Sequence, residues 1–336
     1  MSTRSSASPA ERGQRHADVW DHRVRHPAHG DQALLMSDER ARDDLALFEA
    51  HRPAMVSLAY RMLGDVGRAQ DMVQEAWLRW HHREVEVDSP RAFLVTVVTR
   101  LCLNELDSAR ARREESRSDR LPEPVDLEEG GMARLEELEQ LSMAMLVVLE
   151  RLSPAERATL LLHDVFDFAH EEIAALVSRS PAGCRKLLER ARQKVSAGRR
   201  LITASREEHQ RLLEAFLRAA SAGDVPALVD LLAADAVLIT DGGPQGREFR
   251  GLRNLRRPLQ GAQGIAAFVA ATSRRAVLKV QPRELNGQPA MVLYRAHRPF
   301  AAILLAVTDG KIQRVFFHAD PNRLRHLGPR PRPGAN

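Results

Sequence analysis

Apolar residues first recur at helical steps near residue 38. Leu45, Phe48, Val56, Leu58, Ala59, Met62 and Leu63 mark one face, the three- and four-residue spacing of an amphipathic helix. Gly64-Asp65 interrupts it. A second helix follows from Val66 to Trp80, with Ala69, Met72, Val73, Ala76, Trp77 and Trp80 on its stripe. Ser89-Pro90 starts a third, Ser as cap and Pro at the first helical position, and the run from Arg91 to Arg113 continues it. Leu121-Pro122-Glu123-Pro124 excludes a helix interior, and Glu128-Glu129-Gly130-Gly131 follows, so residues 114–138 read as an acidic linker. Helical period resumes near Leu135 and runs to about Gly198. Beyond residue 205 two helices are expected, Glu207–Ala222 and Pro226–Ala234, with Asp224 capping the second. Strands follow at Ala236–Thr240, Val277–Val280, Ala290–Arg295, Ala301–Val307 and Lys311–Phe317. Asn286-Gly287 and Asp309-Gly310 stand between strands as hairpin signals. Helices first and antiparallel strands after predict an α+β domain. The plan is a tail (1–37), a helical domain (38–113), the linker (114–138), a second helical domain (139–204), the α+β domain (205–325) and a short tail (326–336). The first tail has no apolar period and reads as disordered; Met36 stands at its end as an alternative start.

Composition narrows the function class. The 336 residues are 44% hydrophobic and 28% charged, with a formal net charge of +5 and a pI of about 9.7. That balance favours a polyanionic partner. Lysine occurs only at positions 186, 194, 279 and 311, so the positive charge is almost all arginine, suited to phosphates and guanine edges; codon bias in a GC-rich genome is the alternative. Cys102 and Cys184 sit in apolar helical stretches and read as buried, inert thiols. No run approaches the ~18 apolar residues of a membrane span, and no secretory h-region stands at the N-terminus, so a cytoplasmic protein with no membrane partner is expected. His16, His22, His26 and His29 lie in the tail without the fixed geometry a metal needs.

Three constellations carry function. In the first, a helix from Leu152-Ser153-Pro154 through Leu162, a short helix at Glu171–Val177, a turn at Ser178-Arg179 and a Ser180-Pro181-capped helix through Val195 make a helix-turn-helix. Arg179, Arg185, Lys186, Arg190, Arg192, Lys194, Arg199 and Arg200 face one acid, Glu189, a formal charge of about +7. Ala182, Cys184, Leu187, Leu188 and Ala191 supply the buried side. A basic solvated face is the alternative to DNA binding. In the second, Asp71–Trp77 is amphipathic: Val73, Ala76, Trp77 and Trp80 share a face, while Asp71, Gln74, Glu75 and Arg79 point outward towards an unnamed partner. In the third, Arg91, Arg100, Arg110, Arg112 and Arg113 accompany Phe93, Thr96, Thr99 and Asn104, a mixture suited to opened single-stranded DNA or to an ordinary solvated helix.

In this order and spacing the three stretches resemble sigma region two, its linker and sigma region four of extracytoplasmic-function (ECF) RNA polymerase sigma factors. Asp71–Trp77 resembles the family's D-x-V-Q-E-A-F/W helix, which implies that Asp71, Val73, Gln74, Glu75 and Trp77 dock on core RNA polymerase. Ser89–Leu106 resembles the helix that melts and reads the minus-ten element, and Glu172–Val195 the helix-turn-helix that reads the minus-thirty-five element. Promoter DNA and core polymerase are the partners implied, without a cofactor or a metal. Leu121–Val125, VFDFAHEEIA and SPAGCRKLLERAR further resemble the subgroup with a SnoaL-like (cystatin-like cone barrel) extension. Asp241-Gly242-Gly243 resembles the start of its D-G-G-G-K-V motif, Asn286–Ala290 another stretch, and Asp320–Leu324 its N-P-D-K-L end. Pro244-Gln245-Gly246 replaces G-K-V, and the Tyr and Trp expected before Leu121 are absent. The resemblance implies that Asp241, Gly242 and Gly243 face the sigma core, and that the extension tunes activity in place of a separate anti-sigma protein.

SnoaL-like folds also host enzymes, so the alternative is a DNA-binding regulator fused to an enzymatic or ligand-binding domain. Such chemistry needs a carboxylate base and an oxyanion donor in a dry pocket. Tyr294, Asp235, Asp241, His297 and His318 are the polar candidates. Asp241 is expected to be solvated, and no pair stands at a catalytic spacing. No catalytic residue is therefore assigned, and a small-molecule ligand of this domain stays open.

Overall fold

The computed structural model describes residues 30–111, 120–126, 142–199, 204–243, 248–249, 252–253, 255, 257–273 and 278–329. The chain divides into two compact units, residues 1–43 and 44–336.

Helix α1 spans Gly30–Leu63, so helix begins earlier than the tail boundary expected at residue 37; the four tail histidines lie outside the described residues. Gly64 (φ 65) stops α1. Asp65 caps α2 (Val66–His81), accepting the Arg68 N–H at 2.9 Å. Ser89 caps α3 (Pro90–Ala111), accepting the Ala92 N–H at 3.3 Å. The expected linker is extended where described, from Arg120 to Asp126. Four helices of the second helical domain then follow: α4 (Met143–Glu150), α5 (Pro154–Asp164), α6 (His170–Val177) and α7 (Pro181–Arg199). A capping box starts α5, with Ser153 Oγ accepting the Glu156 N–H and Glu156 Oε2 accepting the Ser153 N–H. Cys102 and Cys184 are buried free thiols, and burial pushes both thiols up.

The C-terminal part begins with α8 (Arg206–Ala222) and α9 (Val225–Leu231), capped by Ser205 and Asp224. Strand β1 (Leu232–Asp241) starts four residues before the expected Ala236, so residues 232–234 are strand, not helix. Short strands β2 (Glu248–Phe249), β3 (Leu252–Arg253) and β4 (Leu259–Gln260) precede α10 (Ala262–Ser273), a helix that the sequence pattern does not show. Then come β5 (Lys279–Leu285), β6 (Gln288–Arg295), β7 (Arg298–Thr308) and β8 (Lys311–His318). The main sheet has the order β4-β1-β8-β7-β6-β5, antiparallel except for β1 with β8. This is the expected α+β domain. Leu324 and Leu327 are buried, so packing runs two residues past the expected limit at 325.

Side chains alternate across each strand, and here both faces of the sheet are covered. Met291, Ile303, Leu305, Val307 and Val315 pack with residues of α8, α9 and α10. Ala290, Val292, Tyr294, Ala302, Leu304, Ala306 and Phe316 belong to the same cluster as the residues of α2 to α7. The helical part thus serves as the second cover of the sheet.

Candidate nucleic-acid interface and the joint behind it

The turn between α6 and α7 is left-handed at Ser178 (φ 53), and Ser180 Oγ accepts the Gly183 N–H at 3.1 Å. Ile173, Ala174, Val177, Cys184, Leu188, Ala191 and Val195 fill the core between α5, α6 and α7. The face opposite is basic: Arg179, Ser180, Arg185, Lys186, Arg190 and Arg192 are all exposed. Arg192 is partly engaged, its Nε 3.1 Å from Asp164 Oδ2. Burial pushes Asp164 up, but the Arg192 and His163 hydrogen bonds outweigh it and hold the carboxyl below its ordinary range. Lys194 is drawn onto Glu156 Oε2 at 2.8 Å, so it is held to α5 rather than offered outward. A groove of about 510 Å³ runs beside this face, lined by His170, Arg185, Arg192 and Gln193 among others.

On α2, Asp71 and Gln74 are exposed, and Glu75 is ion-paired with Arg79 at 3.0 Å. Trp77 is half-buried, edge-on to Phe48 at 4.9 Å and stacked on His81 at 5.4 Å. Val73 is buried at 2% exposure; it holds α2 in place and presents nothing outward. On α3, Arg91, Arg100 and Asn104 are exposed, and Phe93 and Thr96 are half-buried. The Arg91 guanidinium lies 5.7 Å from the Phe166 ring, because α3 packs on α5 and α6. Thr99 is fully buried. Arg110 is in α3, and Arg112 and Arg113 lie outside the described residues.

Behind these surfaces lies a buried polar joint where α1, the linker, α4 and the sheet meet. The linker's prolines leave few backbone donors, and the sheet supplies partners for them. Asp241 Oδ2 accepts the Leu121 N–H at 3.1 Å, and the Leu121 carbonyl accepts from Arg323. Asn286 Oδ1 accepts the Val125 N–H at 3.1 Å, while the Val125 carbonyl accepts the Asn286 N–H at 2.8 Å. Asn286 Nδ2 donates to the Tyr60 hydroxyl at 2.9 Å, which itself donates to the Glu123 carbonyl at 2.6 Å. Buried Asp126 is ion-paired with half-buried Arg283, beside an antiparallel bridge to Leu285. Gln288 Oε1 accepts the Met143 N–H at 3.0 Å, one of the orphan donors at the start of α4. One hairpin turn therefore holds the chain both before and after residues 127–141.

Asp241, expected to be solvated, is 3% exposed. Its other oxygen accepts the Gly243 N–H at 3.0 Å, and the glycine at φ 82 brings the turn against Asp320, where a Cβ would stand 2.8 Å from Oδ2. Burial raises the Asp241 carboxyl despite Arg323. Burial, with Asp65 nearby, pushes Glu123 up to about 7 against the Val66 N–H and Arg323. Burial also pushes Glu150 up to about 7 against Arg157 and Arg323. Sequence patterns do not reveal the roles of Tyr60, Glu123, Glu150, Gln288 and Arg323, and they mark Asn286 only as a turn residue.

The enzymatic candidates are scattered. Asp235 and His297 are exposed, Tyr294 is buried near Arg283 at 3.5 Å. Asp241 and His318 are register partners on β1 and β8, a proximity invisible in sequence. The Asp241 oxygens are taken by Leu121 and Gly243, and no hydrogen bond joins it to His318, whose buried ring is depressed to about 3 by desolvation. Among the described residues no cluster of three or more His, Cys, Asp or Glu could hold a metal, and no helix is long and apolar enough to cross a membrane.

Both helical parts match known families. The family described as Sigma-70 region 2 matches residues 47–112, and Sigma-70, region 4 matches residues 142–195. The ECF RNA polymerase sigma factor SigJ of Mycobacterium tuberculosis is 34% identical over 297 residues, 83% of this chain and 93% of that protein. The probable ECF RNA polymerase sigma factor SigI of the same organism is 32% identical over 295 residues, 84% of this chain and 95% of that protein. The crystal structure of M. tuberculosis SigJ superposes with a TM-score of 0.65 at 29% identity, covering 84% of this chain and 98% of that one. With both sigma regions in sequence, an exposed arginine-rich α7 and an α+β domain folded onto them, this chain belongs to the ECF RNA polymerase sigma factors.

Proposed function

We propose that this chain binds core RNA polymerase through the outward face of α2, with Asp71, Gln74, Glu75 and the rim of Trp77. In this reading it melts promoter DNA with α3, through Arg91, Phe93, Thr96, Arg100 and Asn104, and reads a duplex element with α7, through Arg179, Ser180, Arg185, Lys186, Arg190 and Arg192. The supporting observation is the α7 face: a capped helix after a left-handed turn, with its apolar side in the core and its basic side open. Arginine forks on such a helix suit base edges and phosphates in the major groove. Run-off transcription with core polymerase tests it. Arg185→Ala with Lys186→Ala is expected to lower promoter affinity while leaving core binding intact, and Glu75→Arg to abolish core binding while sparing the fold. Full transcription by both folded variants overturns the reading.

The C-terminal domain, in the same proposal, tunes activity by holding the linker. Asn286 and Gln288 secure the chain on either side of residues 127–141, and α3 lies against α5 and α6. Freeing the linker with Asn286→Ala is expected to change transcription per molecule bound to polymerase. An unchanged yield from a folded variant would leave the domain with a packing role alone.

A further inference from the structure

Two carboxyls of the joint press on the corner between α1 and α2. Glu123, on the linker, is 2% exposed. Its Oε2 accepts the Val66 N–H at 2.7 Å, and its own N–H donates to the Gly64 carbonyl at 2.9 Å. Glu150, at the end of α4, meets the same corner: a Cβ at Gly64 would stand 2.5 Å from its Oε1 and 3.6 Å from Pro122 Cα of the linker. Facing Glu123 are Tyr60 of α1, Asp65 of the corner, Arg323 and Arg325 beyond β8, and His326, whose Nε2 is 3.7 Å from Oε2. Facing Glu150 are Tyr60, Arg157 of α5, Arg323 and Asp241 of β1. One guanidinium, Arg323, is thus shared by three carboxyls. It is also engaged elsewhere, its Nε 3.8 Å from Asp241 Oδ2 and its fork donating to the Leu121 carbonyl. Arg157 donates to the Met62 carbonyl, and the Arg325 guanidinium lies against Gly67. Burial, with Arg325 beside it, holds His326 below its ordinary value and so uncharged at neutral pH. A buried carboxyl that shares its cation with others is more stable neutral than ionised.

We propose that this cluster is a proton-operated clasp: with Glu123 and Glu150 neutral the linker stays fastened to the α1–α2 corner, and their ionisation as pH rises releases it and frees the helices to work with polymerase. The inference rests on the reading above, in which the C-terminal domain tunes activity by holding the linker. In the fastened form α3 packs on α5 and α6 and Thr99 is buried. The helix assigned to melting DNA is then engaged inside the chain, so release activates. Burial raises both carboxyls to about 7 in the closed joint, while an opened joint returns them to water, near 4.3. Opening therefore releases protons and becomes easier as pH rises. His318 and His326, both held below their ordinary values by burial, act with the opposite sign, because acid must charge them in the open form.

Hydrogen exchange of the full chain tests the clasp without polymerase. The Leu121, Glu123 and Val125 amides report on it, since each donates across the joint. From pH 6 to pH 8, corrected for the intrinsic pH dependence of exchange, their protection is expected to fall about tenfold for each carboxyl that ionises on opening. Glu123→Gln with Glu150→Gln should keep the pH 6 protection at pH 8. Either single variant should remove part of the dependence, which keeps the test decisive if the double variant does not fold. His326→Gln should leave the dependence in place. Run-off transcription with core polymerase reads the consequence: the yield of the double variant relative to the unaltered chain is expected to be equal at pH 6 and lower at pH 8. Protection that is the same at both pH values, or that changes as much in the Gln variants, overturns the clasp. Protection that falls on acidification overturns it too, and points to the histidines. The expected exchange with a relative yield that is the same at both pH values overturns the control of transcription. Asn286→Ala separates that failure from failure of the underlying reading: if it frees the linker and transcription stays unchanged, the domain does not act through the linker, and if transcription changes, only the proton control has failed.

Discussion

The joint and the α7 face use polar groups in opposite ways. In the joint, Tyr60, Asp241, Asn286 and Gln288 are buried and hydrogen-bonded to another segment. On α7, Arg179, Arg185, Lys186 and Arg190 are exposed. A buried polar group left without a partner carries its full desolvation penalty, whereas an exposed one is hydrated whether or not it has a partner. The joint is therefore where substitution should damage structure, and α7 where it should damage only binding.

Asn286→Ala should break that contrast most strongly on the joint side. It removes the acceptor of the Val125 N–H and one of the two bonds of the Tyr60 hydroxyl, which keeps the Glu123 carbonyl, and a destabilisation of about 1–3 kcal/mol is expected from the buried N–H left unpaired. Thermal unfolding of the full chain measures it; a loss under ~0.5 kcal/mol would mean that water replaces the amide without penalty. Gly243→Ala should follow, at about 1–3 kcal/mol, because a side chain at φ 82 is strained and its Cβ would press on Asp320. Unfolding at the wild-type temperature would show that the turn shifts freely.

Protonation sharpens the comparison. Glu123 and Glu150 are raised to about 7 in the closed joint, above the ordinary carboxylate value near 4.3. The folded form thus holds protons that the unfolded form has released. The joint is favoured at low pH, and stability falls as pH rises from about 5 to about 7, then levels off above it. Glu150→Gln should flatten part of this slope in urea titrations at pH 5.5, 6.5 and 8. An identical slope in the variant would place the titration elsewhere. On the other side, Arg185→Ala should change stability by less than ~0.5 kcal/mol while weakening promoter binding by about 1–3 kcal/mol. A large drop in Tm would show that the α7 face takes part in packing.

Much of this is legible from residue patterns. Ser89, Ser153, Ser180 and Asp224 cap helices where local chemistry places them, and Asn286-Gly287 and Asp309-Gly310 turn hairpins as expected. Other features are hidden for identifiable reasons. In AQGIAAFVAATS no charged residue defines a polar face, so α10 lacks the amphipathic signal that marks a surface helix. Asp241 beside two glycines looks like a solvated turn until Leu121, 120 residues away, covers it. The run FAAILLAV of β7 does carry a signal of its double burial: it does not alternate with polar residues, as a strand with one solvated face would.

By itself, then, the sequence determined the local elements, their caps and turns, the basic face of α7 and the family, because these depend on residues a few positions apart or on the motif as written. Only the tertiary structure decided that the α+β domain shares its core with the sigma helices, that Asn286 is a latch as well as a turn residue, and that residues 121–126 are buried. Each of these depends on partners 120 to 226 residues away, and no periodicity encodes a hydrogen bond over that distance. The burial that raises Glu123, Glu150 and Asp241 arises only when separate surfaces close together and exclude water.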